Sequence, residues 1–294
     1  MAVAARNDVE TLFKSEAYAS SFKRGEIVTR TFAELLVDQS KVCAESKANP
    51  DQPLVILDNA CGTGVISSIL NDKVDGIVKK KWKLTCGDIS PAVLAYTEHR
   101  MQQEGWENAE TKLVDAQKPD LPSDYYSHIF SSFVYMALPE SLKALDETVR
   151  MLQPGGTIAF STWMLPGSVS IARGAIESMP GNLPFPEVEK MVSVMTDGHW
   201  HSKPWIESQL EERGFQEIDV CVRRDKLTLT PSIFLEMTML VLPIMVMSFW
   251  TEEQRKENAD KVRPALERYL EDTFGDDDIE TEWVAILSTA RKSR

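Results

Sequence analysis

The sequence predicts an α/β protein: a doubly wound, mostly parallel sheet with helices on both faces. N-terminal helices precede it, and a helical insertion stands before the last strand. Three observations predict this. Short apolar runs alternate with helical patterns from residue 54 to residue 163. The first run opens into a glycine-rich turn, "LVILDNACGTGVIS", and three acids, Asp58, Asp88 and Asp115, close successive runs. Strands alternating with helices at this spacing need crossover connections, and so a parallel sheet.

The elements follow in order. Residues 8 to 43 read as helix, with Val28, Phe32, Leu35 and Leu36 forming one apolar stripe at helical period. The polar stretch "AESKANPDQP" (44–53) reads as a linker. Strand one is 54–57, and "WKLTCGD" is a second strand ending at Asp88. Ser90-Pro91 then gives an N-cap with proline in the first helical position, and the helix stops at Gly105. "ETKLVDA" is a third strand ending at Asp115 and "SHIFSSF" a fourth; a helix from 140 to 152 and the turn "QPGG" lead into a fifth, "TIAFSTW".

Beyond Trp163 the pattern changes. Ser202 caps a helix that stops at Gly214, a strand candidate covers 217–229, and "TEWVAILSTA" is the last. The roughly fifty residues between them read as helical. They comprise a Met-rich run and a second helix with a Thr251/Gln254 capping box and an apolar face of Val262, Leu266, Tyr269, Leu270 and Phe274. The expected organisation is a helical cap (1–48), an α/β core (49–230 and 279–294) and a helical lid (231–278).

Composition excludes several classes. The formal net charge of −13 argues against a nucleic-acid backbone as partner. "KKKWK" (79–83) reads as a solvated loop. Four scattered cysteines without a CxxC pair suit a reduced, cytoplasmic protein and offer neither zinc site nor disulfide framework. The N-terminus lacks the apolar core of a signal peptide. Residues 233–250 have an adequate length for a membrane span, but Glu236 and Pro243 interrupt them and no basic anchors flank them, so no membrane partner is expected.

Ligands in doubly wound sheets lie beyond the carboxyl ends of the strands. Gly62-x-Gly64-x-x-Ser67 resembles a nicotinamide-dinucleotide turn, with Asp88 as the ribose acid. Against that reading, Asp58 would face a pyrophosphate, and no Tyr-x-x-x-Lys pair runs hydride chemistry; Tyr96 and Arg100 come nearest. A carboxylate before the turn suits a cationic ligand instead. S-adenosylmethionine carries a sulfonium and an ammonium and no phosphate, and Asp115 with Ala116 could receive its adenine.

Together "VILDNACGTG", "CGDIS", "LVDA" and "RMLQPGGTIAF" resemble, in order and spacing, the motif series of class I S-adenosylmethionine-dependent methyltransferases over residues 54–163. Ala60 departs from the usual first glycine of the turn. The resemblance implies a Rossmann-like fold and a cofactor site of Asp58, Ala60, Cys61, Gly62, Gly64, Asp88, Ile89, Asp115, Ala116, Ser131 and Ser132. Asp58 would meet the methionine amino end, Asp88 the ribose, and Asp115 with Ala116 the adenine. Ser131 and Ser132 would lie beside the transferred methyl, and Cys61 reads as a small filler. S-adenosylhomocysteine would be the product, and no metal is implied. "EGWENAETK", "GNLPFP" and "FWTEEQR" extend the likeness to fungal secondary-metabolite methyltransferases, nearest to those that S-methylate reduced dithiol diketopiperazines, with oxygen or nitrogen acceptors as the alternative.

Methyl transfer needs an acceptor lone pair in line with the S–CH3 bond, and a thiol needs little help from a base. The candidate bases are His199, His201 and Tyr135; the two histidines with Asp197 also form a metal-site pattern, less expected than exposed loop residues. Tyr18, Phe22, Phe133, Met136, Trp163, Phe234 and Met237 are the candidate walls of an apolar substrate pocket. A nucleic-acid methyltransferase is disfavoured by charge and by "SSFVYM" standing where a D/N/S-P-P-aromatic segment belongs. A non-enzymatic relative is disfavoured by the intact acids and glycines. Oligomeric state is open.

Overall fold

The computed structural model describes residues 16–187, 190–191, 196–239 and 242–294, with side chains described from residue 23 onward. Its centre is a seven-stranded sheet of order β3-β2-β1-β4-β5-β7-β6. The strands are β1 (Val55–Asn59), β2 (Lys83–Asp88), β3 (Ala109–Leu113), β4 (Tyr126–Ser132), β5 (Leu152–Leu165), β6 (Phe215–Leu229) and β7 (Ile279–Lys292). β1 to β5 pair in parallel and β7 runs antiparallel between β5 and β6. Strand order reverses between β1 and β4, which opens a crevice beyond their carboxyl ends.

The helices are α1 (Glu16–Gln39), α2 (Val42–Ala48), α3 (Val65–Lys73), α4 (Gly76–Lys79), α5 (Pro91–Glu104), α6 (Ser141–Met151), α7 (Val169–Glu177) and α8 (Lys203–Glu212). Between β6 and β7 come α9 (Pro231–Met239), α10 (Leu242–Phe249), α11 (Glu252–Asn258) and α12 (Val262–Phe274). The sheet divides two cores. Ile56, Leu84, Phe130 and Ala159 face α1, α3 and the β6–β7 helices. Leu57, Ile129, Ile158 and Ile286 face α6 and α8.

Several boundaries differ from the sequence reading. The expected 8–43 helix ends at Gln39, because Lys41 turns into a left-handed conformation (φ 59°) and restarts the chain as α2 inside the expected linker. Leu35 is exposed while Val28, Phe32 and Leu36 are fully buried, so the stripe is narrower than its spacing suggested. β3 ends at Leu113, two residues short of Asp115. The Thr251/Gln254 capping box is present, and Val262, Leu266 and Leu270 are buried. The apolar run over 231–249 is long enough to cross a membrane, but 44% of its best window is buried against the rest of the molecule, including Phe234 and Met245.

Candidate active site

The crevice is a cleft of about 960 Å3 of open space, mouth included, lined by Asp58, Ala60, Cys61, Gly62, Thr63, Asp88, Ile89, Ser132, Phe133 and neighbouring apolar groups.

Its floor is the turn after β1. Ala60, Gly62 and Gly64 have φ of 56°, 54° and 78°, so three left-handed residues alternate through it. Only the latter two are glycines, and the alanine adopts its conformation at a cost of roughly 1–2 kcal/mol. The glycines serve different ends. A Cβ on Gly64 would stand 3.0 Å from Thr97 and from Trp106, so this glycine is needed for close packing on α5. A Cβ on Gly62 would meet nothing within 4 Å. It would point into open space on a residue that lines the cleft.

Two buried carboxylates hold the turn. Asp88 accepts the Gly62 amide (2.9 Å) on one oxygen and the Ser90 amide (2.9 Å) on the other. Asp88 therefore fixes the residue that opens α5; Ser90, expected as the cap, makes no side-chain cap bond. Asp58 accepts both the amide (3.2 Å) and the hydroxyl (2.7 Å) of Ser67 on one oxygen. Burial pushes its pKa up to about 6, against the pull of the Ser67 bonds. Burial likewise raises Asp88, with the amides of Ser90, Gly62 and Ile89 resisting. Each carboxylate oxygen has more than one lone pair, so both groups keep acceptor capacity for a ligand. Cys61 has its thiol pKa raised, first by contact with Cys86 and then by burial. It is a protonated filler.

Arg100, on α5, braces the turn from outside. It donates to Thr63 O (3.1 Å), Ser68 Oγ (3.3 Å), Glu26 (2.9 Å) and Glu104 (2.8 Å), joining the turn, α3, α5 and α1. The sequence reading set Arg100 aside as a failed hydride-transfer lysine and missed this. It also missed Thr29 of α1 and Val134, Ala137 and Leu138 after β4, all of which line the cleft. The three after β4 were findable, since they immediately follow a strand end at the switch point; Thr29 required the docking of α1.

Beyond β4 stands an aromatic group. Phe133 has a left-handed backbone (φ 57°), held by bonds from its amide to the carbonyl (2.9 Å) and hydroxyl (3.1 Å) of Ser161. Strain of this kind in a non-glycine residue concentrates at functional sites. The Phe133 ring stacks on Trp163 (4.0 Å between centroids), with Phe32 edge-on to both and Trp283 behind.

The remaining expected residues lie elsewhere. Ser131 is fully buried and does not line the cleft; the pleat turns it to the sheet face opposite Ser132. Asp115 and Ala116 are outside the cleft lining, and Asp115 accepts the Gln117 amide (2.9 Å) in a local turn. Tyr135 is a core residue, stacked on Trp200 and bonded to Thr148 Oγ1 (2.8 Å), with its pKa raised by burial. His199 is exposed and lies edge-on to Trp205 and His201, away from the cleft. Asp197 instead caps α6, accepting from Ser141 N (2.8 Å), Ser141 Oγ and Leu142 N (3.3 Å), and no metal-binding cluster occurs among the described residues. Met136 accepts the Trp163 amide through its sulfur (3.1 Å). Phe234 is fully buried, and Met237 packs against Gly25 of α1. The side chains of Tyr18 and Phe22 lie outside the described residues.

Comparison with known proteins agrees with this geometry. Residues 56–156 match the methyltransferase domain. The chain is 43% identical over 289 residues to the acetylaranotin bis-thiomethyltransferase of Aspergillus terreus, covering 98% of this chain and 99% of that one. It is 37% identical over 285 residues to the methyltransferase tpcH of Aspergillus fumigatus, covering 97% and 99%. In fold it is similar to Haemonchus contortus phosphoethanolamine N-methyltransferase 2 solved with S-adenosyl-L-methionine: TM-score 0.51, 14% identity, 99% of this chain and 60% of that one. The parallel sheet, the left-handed turn at the switch point and the near-full-length relatives agree: the chain belongs to the class I S-adenosylmethionine-dependent methyltransferases.

Proposed function

We propose that this enzyme methylates a thiol of a small fungal metabolite, most closely a reduced dithiol diketopiperazine, the substrate type its 43%-identical relative's name evokes. The observation that carries this is the chemistry of the cleft wall. Its ionisable lining groups, among the described residues, are Asp58, Asp88 and Cys61, with no histidine, lysine or tyrosine. Both carboxylates hold the turn and, in this reading, spend their remaining acceptor capacity on the cofactor, and the thiol is held protonated. A phenol or alcohol would need a base to become nucleophilic. A thiol with a pKa of about 8.5 already supplies a few per cent thiolate at neutral pH.

When bound, S-adenosylmethionine supplies the electrophilic methyl. The residues fit it: Gly62 leaves open space on its cleft side, and two buried carboxylates flank that space. In this reading Asp58 orients the ammonium, Asp88 the ribose hydroxyls, and Ile89 gives the adenine an apolar surface. Ser132 and Phe133 bound the methyl end. The Phe133–Trp163–Phe32 group excludes water from the acceptor, which strengthens every electrostatic contact inside. The helices between β6 and β7 would act as a lid, with Met237 set against Gly25 of α1. The four free thiols suit work in the cytoplasm.

The test is incubation with methyl-labelled S-adenosylmethionine and matched panels of reduced dithiols, phenols and amines. Label is expected on sulfur. Label only on oxygen or nitrogen acceptors overturns the thiol assignment and leaves the enzyme class intact.

A further inference from the structure

The chain leaves β4 through Ser132 and Phe133, and both line the cleft. Phe133 is clamped there. Its amide donates to the carbonyl (2.9 Å) and the hydroxyl (3.1 Å) of Ser161, a fully buried residue whose hydroxyl also meets Ser132 Oγ (3.0 Å). The left-handed backbone that results (φ 57°) is unfavourable for a phenylalanine and persists only where its surroundings over-determine it.

The ring centroids show which side of Phe133 is left for the cleft. Trp163 covers one face, at 4.0 Å and 17°. Phe32 stands 5.3 Å from Trp163 but 6.3 Å from Phe133. A ring over the outer face of Phe133 would be nearer to Phe133 than to Trp163, so Phe32 lies beside the stack. Trp283, 5.3 Å from Trp163, is too close to that ring to lie beyond Phe133. Phe133 therefore has its outer face and rim to give the cleft.

An aromatic face carries negative potential and attracts cations. Negative charge in the rest of the described lining comes from Asp58 and Asp88, which hold the turn. A carboxylate set against a sulfonium would also be a rival nucleophile for its methyl group. A ring face attracts the sulfonium without offering a lone pair. We propose that the outer face of Phe133, backed by Trp163, holds the sulfonium of S-adenosylmethionine by a cation–π contact. It thereby distinguishes the charged donor from its neutral product, S-adenosylhomocysteine. In the transfer the acceptor's lone pair forms the new bond to the methyl carbon and the S–CH3 pair stays on sulfur. The attraction is thus lost as product forms, which eases release. This role rests on the placing of the methyl end at Ser132 and Phe133 and is the same for any acceptor.

Calorimetry on the full-length protein at neutral pH gives Kd for S-adenosylmethionine and for S-adenosylhomocysteine. The two share ammonium, ribose and adenine, so their ratio isolates the sulfonium and its methyl. Phe133→Leu keeps apolar bulk and removes the π face. It should move the ratio about tenfold against S-adenosylmethionine, with S-adenosylhomocysteine held within about twofold of wild type. Mono-, di- and trifluorinated phenylalanines at position 133 withdraw charge from the face with little change of shape. The logarithm of the ratio should fall in step with fluorine number, which packing of the methyl alone would not produce. Equal weakening of both ligands, the result of a merely structural role for the ring, overturns the proposal, as does a ratio unmoved by fluorination. No change in either Kd overturns it too and takes the methyl end away from Phe133, while Gly62→Ala still reports on the rest of the cofactor site. Should Phe133→Leu not fold, the fluorinated series decides.

Discussion

Asp58 offers the sharpest perturbation of the cofactor site, and the perturbation is pH. Its carboxylate is 2% exposed, and burial holds its pKa at about 6 despite two bonds from Ser67. The ammonium of S-adenosylmethionine meets the ionised form favourably and the neutral acid poorly, so binding draws on the ionised fraction. With a pKa of about 6, that fraction falls roughly tenfold between pH 7 and pH 5, so apparent affinity weakens by about 1.4 kcal/mol. Below pH 5 it loses a further tenfold or so per unit, and above pH 7 it is level. Linkage gives the sign for the ligand-free protein. A folded pKa above the unfolded value near 4 contributes stability that is full below pH 4 and lost as pH rises through 6, at most about 3 kcal/mol. The ligand-free protein is therefore helped by acid at this one group while the complex is hurt by it. Calorimetry from pH 5 to 7.5, in buffers of differing ionisation enthalpy, measures both the affinity and the proton released. Asp58→Asn should bind weakly with a flat pH profile. A wild-type affinity level within twofold from pH 5 to 7, with the fold intact by circular dichroism, would refute the assignment of Asp58 to the ammonium.

Other substitutions separate fold from site. Gly64→Ala should destabilise the protein by about 3 kcal/mol, from left-handed strain plus 3.0 Å contacts with Thr97 and Trp106, seen as a fall in Tm. Gly62→Ala should cost only about 1 kcal/mol of stability yet raise the KM for S-adenosylmethionine about tenfold, since its methyl enters the cleft. Tyr135→Phe should lose about 1 kcal/mol of stability with the Thr148 bond, and His199→Ala should be neutral; neither should change the pH–rate profile. Arg100→Ala should remove about 2 kcal/mol of stability and weaken cofactor binding more than acceptor binding, read as separate KM values, because it frees the carbonyl side of the glycine turn.

The sequence made the sheet legible because its evidence is local. Apolar runs, the Ser90-Pro91 start and the glycine turn each depend on neighbours within a few residues and all appear, although β5 begins at Leu152 and so takes in the expected "QPGG" turn. The Asp58, Gly62, Gly64 and Asp88 set was legible for the same reason. Boundaries were less so. Nothing in "DQSKVC" marks Lys41 as left-handed, and β3 stops at Leu113 where its register with Asp88 ends. The Asp115 turn belongs to the chain leaving the sheet.

The errors at the catalytic end have one cause. Ser131 and Ser132 were treated as equivalent, although a strand sends successive side chains to opposite faces. Phe130 packs with the α1 side of the sheet and Ile129 with the α6 side, so the same alternation sends Ser132 toward the cleft and Ser131 away. Tyr135 follows Ser131 into the α6 core, where Trp200 already fills the space between α6 and α8. The pleat thus takes the Ser131 and Tyr135 hydroxyls to the α6 face and leaves the cleft with Ser132, the two turn acids and Phe133. What remains is a cleft whose described lining holds no histidine, lysine or tyrosine and whose two carboxylates already accept bonds from the turn. Such a cleft suits an acceptor that arrives nucleophilic, and thiolates do.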